Sequence, residues 1–352
     1  MNRYSPSRVV AIAIIATAAT ALGVPRALAE PHTFELNAPD AHRVYLAGEM
    51  SRWDKDKLPM RRDANGQWSV TVDLGPGEWL YKFIVDGRWI ADPGSADHDA
   101  DGQGGQHSIL FVGAGDWAET RDVPQGRIET RMVESAAWGK ALKVNVYLPP
   151  GFVAGGPYPV LWLLHGGGMD ADQWLKTGKV NRYLDNLMAR GAIHPMIVVM
   201  PSSGDLPYIG KSEQFVTQEL PTWIAATYGI AADRTRSAVA GMSMGGFGAF
   251  YLPLQHPELY GLSVALSGYY DDDFIAGLSR VGSLPMQARL LCGRDDDAMV
   301  RTNRRLVRAL KARGWNFYYR EDPGAHSWQY WSHRMVELLT TVDGYFGAEK
   351  AR

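Results

Sequence analysis

The sequence predicts two domains of different class, a small all-β sandwich followed by an α/β domain built on a largely parallel sheet. Three observations carry that prediction. At about 150 residues per domain, a chain of 352 residues is first expected to hold two. Apolar residues make up 46% and charged residues 21%, which suits packed cores and excludes a disordered chain. Near residue 120 the local pattern changes, from short alternating runs broken by turn residues to strands separated by helical segments.

Residues 1–29 read as a secretory leader. Arg3 and Arg8 precede an uncharged stretch from Val9 to Pro25, and Ala27-Leu28-Ala29 offers the small residues that a signal peptidase reads. The stretch is short and alanine-rich for a bilayer span, so the expectation is a periplasmic or secreted chain starting at Glu30, with no membrane span. Without Arg3, Arg8 and Arg26 the chain holds 33 basic against 38 acidic residues, a net charge of −5. That balance argues against a nucleic-acid partner bound through its phosphates. Cys292 is the one cysteine, which excludes an intrachain disulfide and a cysteine-based zinc site.

Residues 30–113 form the expected sandwich, immunoglobulin-like in pattern. Arg43–Ala47, Gln67–Val72 and Leu80–Val85 are strand-like, and Asn65-Gly66 and Asp86-Gly87 are tight hairpin signals. Four of the 12 tryptophans (Trp53, Trp68, Trp79, Trp89) fall here. Residues 114–126, rich in Gly, Asp, Pro and Gln, read as a linker. From 127 to 348, eight strands are expected: Ile128–Glu134, Leu142–Leu148, Val160–Leu164, Met196–Met200, Ser237–Gly241, Leu262–Leu266, Ala288–Cys292 and Asn316–Arg320. Helical segments include Val180–Arg190, Gln214–Tyr228 and Asn303–Arg313, and the wholly apolar central runs fit parallel strands buried on both faces.

The chemistry is expected where these strands end. Gly241-Met242-Ser243-Met244-Gly245 is G-x-S-x-G directly after a strand and before a helix-like run. That context makes Ser243 a nucleophile on a sharp turn, where only small flanking residues let the backbones approach. His165-Gly166-Gly167-Gly168 ends another strand, and an oxyanion needs two preset N–H donors. The expected donors are the amides of Gly167 and Met244, with His165 in a structural role.

An acid and then a histidine should follow in sequence. Asp295-Asp296-Asp297 comes after the strand ending at Cys292, Asp271-Asp272-Asp273 competes, and Asp322 is a weaker third choice. His326 stands after the last strand and before a helix, as a general base should, while His333 falls inside the helical continuation and reads as a surface residue.

From about Ile128 to Phe346 the chain resembles the esterase D-like branch of the α/β-hydrolases. That group includes S-formylglutathione hydrolases, family-1 carbohydrate esterases, siderophore esterases and mycolyltransferases. The resemblance rests on Val146–Gly151, Leu163–Gly168, Gly241–Gly246, Leu266–Gly268, Cys292–Asp296 and Gly324–Trp328. It implies an α/β-hydrolase fold with no cofactor and no metal, and it selects Asp296 as the acid.

Residues from about Ala41 to Val112 resemble a family-48 carbohydrate-binding module. The matching stretches are Val44–Gly48, Ser51–Trp53, Gly77–Gly87 and Trp89–Pro93. The resemblance implies that Trp53 and Trp89 stack on sugar and that Lys82 contacts it, with Trp68 and Trp79 left to the core. His107 replaces the polar asparagine of the last strand, a departure from starch-type binding. Asp97–Gly102 matches half of a calcium loop, but position twelve is Ser108 instead of Glu, so it reads as an acidic loop.

Taken together, the resemblances imply a serine carboxylester hydrolase whose partner is an ester substrate, feruloyl or acetyl groups on plant hemicellulose. One alternative is a small-ester, siderophore or acyl-trehalose esterase with the module as a structural cap. An alternative of another class is a non-catalytic carbohydrate-binding protein.

Overall fold

The computed structural model describes residues 30–350 apart from 52, 75–76, 96–97, 101–104, 113–116, 120–121, 204–206 and 232. The expected leader, part of the expected linker and half of the calcium-like stretch lie outside the described residues.

The sandwich is made of β1 (Glu30–Asn37), β2 (Val44–Gly48), β3 (Leu58–Pro59), β4 (Arg61–Arg62), β5 (Gln67–Leu74), β6 (Gly77–Val85), β7 (Arg88–Ile90), β8 (His98–Ala100) and β9 (Gln106–Val112). One sheet runs β1-β5-β4; the other runs β3-β2-β6-β9-β8, with β7 paired to β6. Phe34, Leu36, Val44, Leu46, Trp68 and Phe83 meet between them. The Trp68 indole N–H donates to the Ala38 carbonyl at 2.9 Å, which satisfies the polar end of a buried ring.

The larger domain holds β10 (Arg127–Ser135), β11 (Lys140–Leu148), β12 (Val160–Leu164), β13 (Ile197–Pro201), β14 (Ser237–Met242), β15 (Leu262–Leu266), β16 (Gln287–Gly293) and β17 (Tyr318–Asp322). They form one sheet in the order β10-β11-β13-β12-β14-β15-β16-β17, parallel from β13 to β17. Between them run α1 (Gln173–Lys176), α2 (Val180–Ala189), α3 (Lys211–Gln214), α4 (Leu220–Tyr228), α5 (Met244–Gln255), α6 (Asp272–Gly277) and α7 (Asp297–Ala312), with α8 (Trp328–His333) and α9 (Met335–Lys350) closing the chain. Helices cover both sheet faces. Trp162 and Leu164 pack toward Ile224, Phe250 and Leu306. Leu161 and Leu163 pack toward Leu184, Leu339 and Val342. All five residues of β12 are buried, as a strand covered on both faces requires.

Several boundaries differ from expectation, and three have a plain reading. The last strand starts at Tyr318, two residues late. Helix α7 starts at Asp297, because the Asp296 carboxylate accepts from the Met299 amide and caps it. The Gln214–Tyr228 run is helical throughout but contains a π turn over Phe215–Glu219, directly followed by α4, whose second residue is Pro221, a residue with no N–H to donate.

The described part of the linker is docked on the larger domain. Trp117 is buried under the Arg190 guanidinium at 4.1 Å, and the Asn186 amide donates to the Trp117 and Glu119 carbonyls at 2.7 and 2.9 Å. On the sandwich side, β6 packs against α8.

Candidate active site

The serine turn is dictated by close backbone approach. Ser243 follows β14 and precedes α5 with φ 56° and ψ −118°, a conformation that non-glycine residues rarely adopt. A Cβ on Gly241 would sit 2.3 Å from the Gly245 carbonyl oxygen, and one on Gly245 would sit 2.2 Å from that of Leu164. Glycine alone fits both positions. The turn leaves Ser243 half-buried, facing the site, and makes Met244 the first residue of α5, whose N–H has no partner within the helix.

The structure brings Ser243, His326 and Asp296 together. His326 Nε2 lies 2.9 Å from Ser243 Oγ, and its Nδ1 lies 2.6 Å from Asp296 Oδ2. Asp296 is 4% exposed, so its charge is held in a poorly solvated place and shared between the imidazole and the cap of α7. With Nδ1–H donating to the carboxylate, Nε2 is free to accept the serine proton.

The neighbouring carboxylates have other work. Asp295 accepts the Gly324 amide at 2.9 Å, and the Asp295 amide donates to the Gly324 carbonyl at 3.0 Å, which stitches the acid loop to the histidine loop. Asp271 caps α6, Asp272 pairs with Arg305, and Asp322 pairs with Arg320 and Arg334. Cys292, at the end of β16, is buried, and burial followed by the nearby Asp296 charge pushes its thiol up to about 12. It is an inert core residue.

The glycine loop after β12 is held from behind. His165 is 1% exposed; its Nε2 accepts from the Ser203 amide at 3.0 Å, and its Nδ1 faces the Gly166 carbonyl at 2.8 Å. The His165 amide donates to the Tyr208 hydroxyl at 3.0 Å. Gly166 backs onto Ser243, while Gly167 is exposed, with nothing within 4 Å of where a Cβ would stand.

Sequence reasoning does not find Tyr208 and Ser203, since no spacing links them to the loop they brace. It also misses Trp331, which meets the His326 ring edge-on at 5.0 Å and 85°.

On the sandwich, Trp53, Trp89 and Lys82 share one region. Trp89 pairs with Ile84 across β6 and β7, and alternation along β6 puts Lys82 on the same face. The Trp53 and Trp89 ring centroids are 6.4 Å apart and tilted by 34°, and His107 lies 4.5 Å from Trp53. Trp89 is 44% exposed, whereas Lys82 is buried.

His333 corrects an expectation. It is not a surface residue: its side chain is 12% exposed, 5.3 Å from the Trp79 ring and 3.5 Å from the Glu49 carboxylate. The sandwich covers it. Trp79 is accordingly only partly core, packed on the sandwich interior and also turned to the second domain.

Residues 135–342 match the family described as "Putative esterase", and residues 31–124 match "Glycogen recognition site of AMP-activated protein kinase". The chain is 34% identical over 254 residues to an endo-1,4-beta-xylanase/feruloyl esterase of Xylanibacter ruminicola, covering 67% of this chain and 34% of that protein. It is 35% identical over 187 residues to an esterase of Mycobacterium tuberculosis, covering 48% of this chain and 38% of that protein. The chain thus spans little more than a third of the length of these curated relatives. Among solved structures, a ferulic acid esterase matches at TM-score 0.56 and 26% identity, covering 63% of this chain and 99% of that one. The enterobactin esterase of Shigella flexneri matches at TM-score 0.61 and 20% identity, covering 90% and 93%, a likeness of fold that takes in both domains.

Proposed function

The chain belongs to the esterase family matched over residues 135–342, and from that premise we propose that it is an exported serine carboxylester hydrolase that removes feruloyl or acetyl groups from hemicellulose. The observation that carries the proposal is the 2.9 Å and 2.6 Å relay from Ser243 through His326 to Asp296. Ser243 attacks the ester carbonyl while His326 Nε2 takes its proton. Asp296 orients the imidazole and stabilises the imidazolium. The amides of Gly167 and Met244 hold the oxyanion, and His326 returns the proton to the leaving alcohol. Water, activated by the same histidine, then cleaves the acyl-enzyme.

The polymeric substrate is supported by two features. Between β15 and β16 the chain has only α6 and a single 3-10 turn over Leu278–Arg280, so no inserted domain covers the site from that side. The Trp53–Trp89 pair supplies flat apolar rings of the kind that stack on a pyranose C–H face. The similar xylanase/feruloyl esterase and ferulic acid esterase agree with this reading.

A second reading, hydrolysis of a small, siderophore or acyl-trehalose ester with the sandwich as a structural cap, is favoured by the packing of β6 on α8. Turnover of methyl ferulate and acetylated xylan, set against a trehalose ester and a cyclic catecholate triester, separates the two. Release of ferulate or acetate that is lost in Ser243→Ala supports the hemicellulose reading. Turnover of neither cell-wall ester removes it.

A further inference from the structure

We propose that the N-terminal sandwich is a positioning element of the hydrolase site, with Glu49 and Trp79 fixing His333 and, through α8, the histidine loop that presents His326. The inference rests on the assignment of Ser243, His326 and Asp296 as the machinery and adds a part that lies outside that domain.

Helix α8 spans six residues, Trp328–His333, and a helix so short takes its place from what packs on it. Its N-terminal end is one residue from His326, since Ser327 caps it. Its middle carries Trp331, whose ring meets His326 at 5.0 Å and whose indole N–H points to Ser267 Oγ at 3.4 Å. Its C-terminal residue is His333, which lies 5.3 Å from the Trp79 ring and 3.5 Å from the Glu49 carboxylate.

Both sandwich groups are held firmly. Glu49 Oε2 also accepts from the Leu80 amide at 3.0 Å, and Gly48 approaches β6 so closely that a Cβ would lie 2.4 Å from the Leu80 carbonyl oxygen. Trp79 is built into β6, the central strand of its sheet. The linker is itself held on α2, where Trp117 lies under Arg190 and its carbonyl accepts from Asn186.

The histidine loop is therefore fixed from two sides. Asp295 and Gly324 bind it to the acid loop, and α8 binds it to the sandwich. A shift of about 1 Å in a reacting group can cost about a hundredfold in rate. Because Tyr330 and Trp331 also anchor α8 in the core, loss of the outer contact should displace His326 by less than that.

The test uses the full-length chain and a short soluble ester, p-nitrophenyl acetate, with rates expressed per serine titrated by a fluorophosphonate. We expect Trp79→Ala to lower kcat about tenfold, with KM changed less than about twofold and the acid limb of the kcat/KM pH profile displaced. Glu49→Ala should lower kcat by about threefold, and Trp79→Phe, which keeps a ring on His333, should recover most of the rate. Wild-type kcat and pH profile in both alanine variants, with only a lowered melting temperature, would overturn the proposal. If Trp79→Ala does not fold, Glu49→Ala alone decides. Absence of turnover by the wild-type chain would instead overturn the hydrolase assignment.

Discussion

The serine turn and the tryptophan-rich sandwich place their side chains by different means. At the turn, the backbone itself dictates the residues: Gly241 and Gly245 leave no room for a Cβ, and Ser243 takes a positive φ. Spacing along the chain is then enough to identify the position. In the sandwich, four tryptophans close in sequence reach three environments. Trp68 is core, Trp79 faces the other domain, and Trp53 and Trp89 lie together with Trp89 open to solvent. Backbone constraint is legible in a sequence; the destination of a large apolar side chain depends on what the rest of the fold puts beside it.

Substitutions can break this contrast, starting where the largest effect is expected. Asp296→Asn should lower kcat by about 10⁴-fold, because the imidazolium loses its carboxylate and the amide N–H can donate to Nδ1 and hold the wrong tautomer, while Asp297→Asn, on the exposed first turn of α7, should stay within about threefold of wild type. Steady-state rates on one short ester compare the pair, and equal losses would break the assignment of Asp296. Gly245→Ala should destabilise the fold by about 3 kcal/mol, since the methyl group meets the Leu164 and His165 carbonyl oxygens at 2.2 and 2.7 Å. Urea unfolding reads that loss, and a neutral substitution would mean that the turn is less tightly constrained than described.

The interface between the two regions should also respond to acid. Burial, and then the Arg334 charge, pushes His333 from 6.5 down to about 3. The unfolded chain binds this proton more tightly than the folded one. Its contribution is therefore complete above about pH 6.5 and is lost as pH falls toward 3. Glu49 and Arg334 are the charged groups beside it, with Asp322 and Glu337 paired to Arg334. Melting temperatures from pH 7 to pH 4 should fall less steeply in His333→Gln than in wild type, and parallel slopes would contradict the burial argument. The smallest effect is expected on the open face. Trp89→Ala should weaken retardation by soluble xylan about fivefold, a loss of about 1 kcal/mol, in affinity electrophoresis.

Much of the larger domain is legible in its residues alone. All eight strands of its sheet are found with ends within two residues of expectation, because alternation and apolar runs encode burial directly. Asp296 is harder: three adjacent aspartates are equivalent by spacing, and only family resemblance chooses among them. In the fold, the choice corresponds to Asp296 capping α7 while bonded to His326, and to Asp295 tying down Gly324. Braces formed across the chain are not legible. Tyr208 behind His165, Trp331 beside His326 and Glu49 beside His333 are pairings made by tertiary packing, with no spacing rule to announce them.

The central claim is that one serine is activated by one histidine. Incubation of the full-length protein with a fluorophosphonate, followed by peptide mass mapping, tests it directly. The account predicts a single adduct on Ser243, formed rapidly in wild type and at least about a thousandfold more slowly in His326→Ala. An unlabelled wild-type chain, or labelling of Ser243 at the same rate in both proteins, would contradict it.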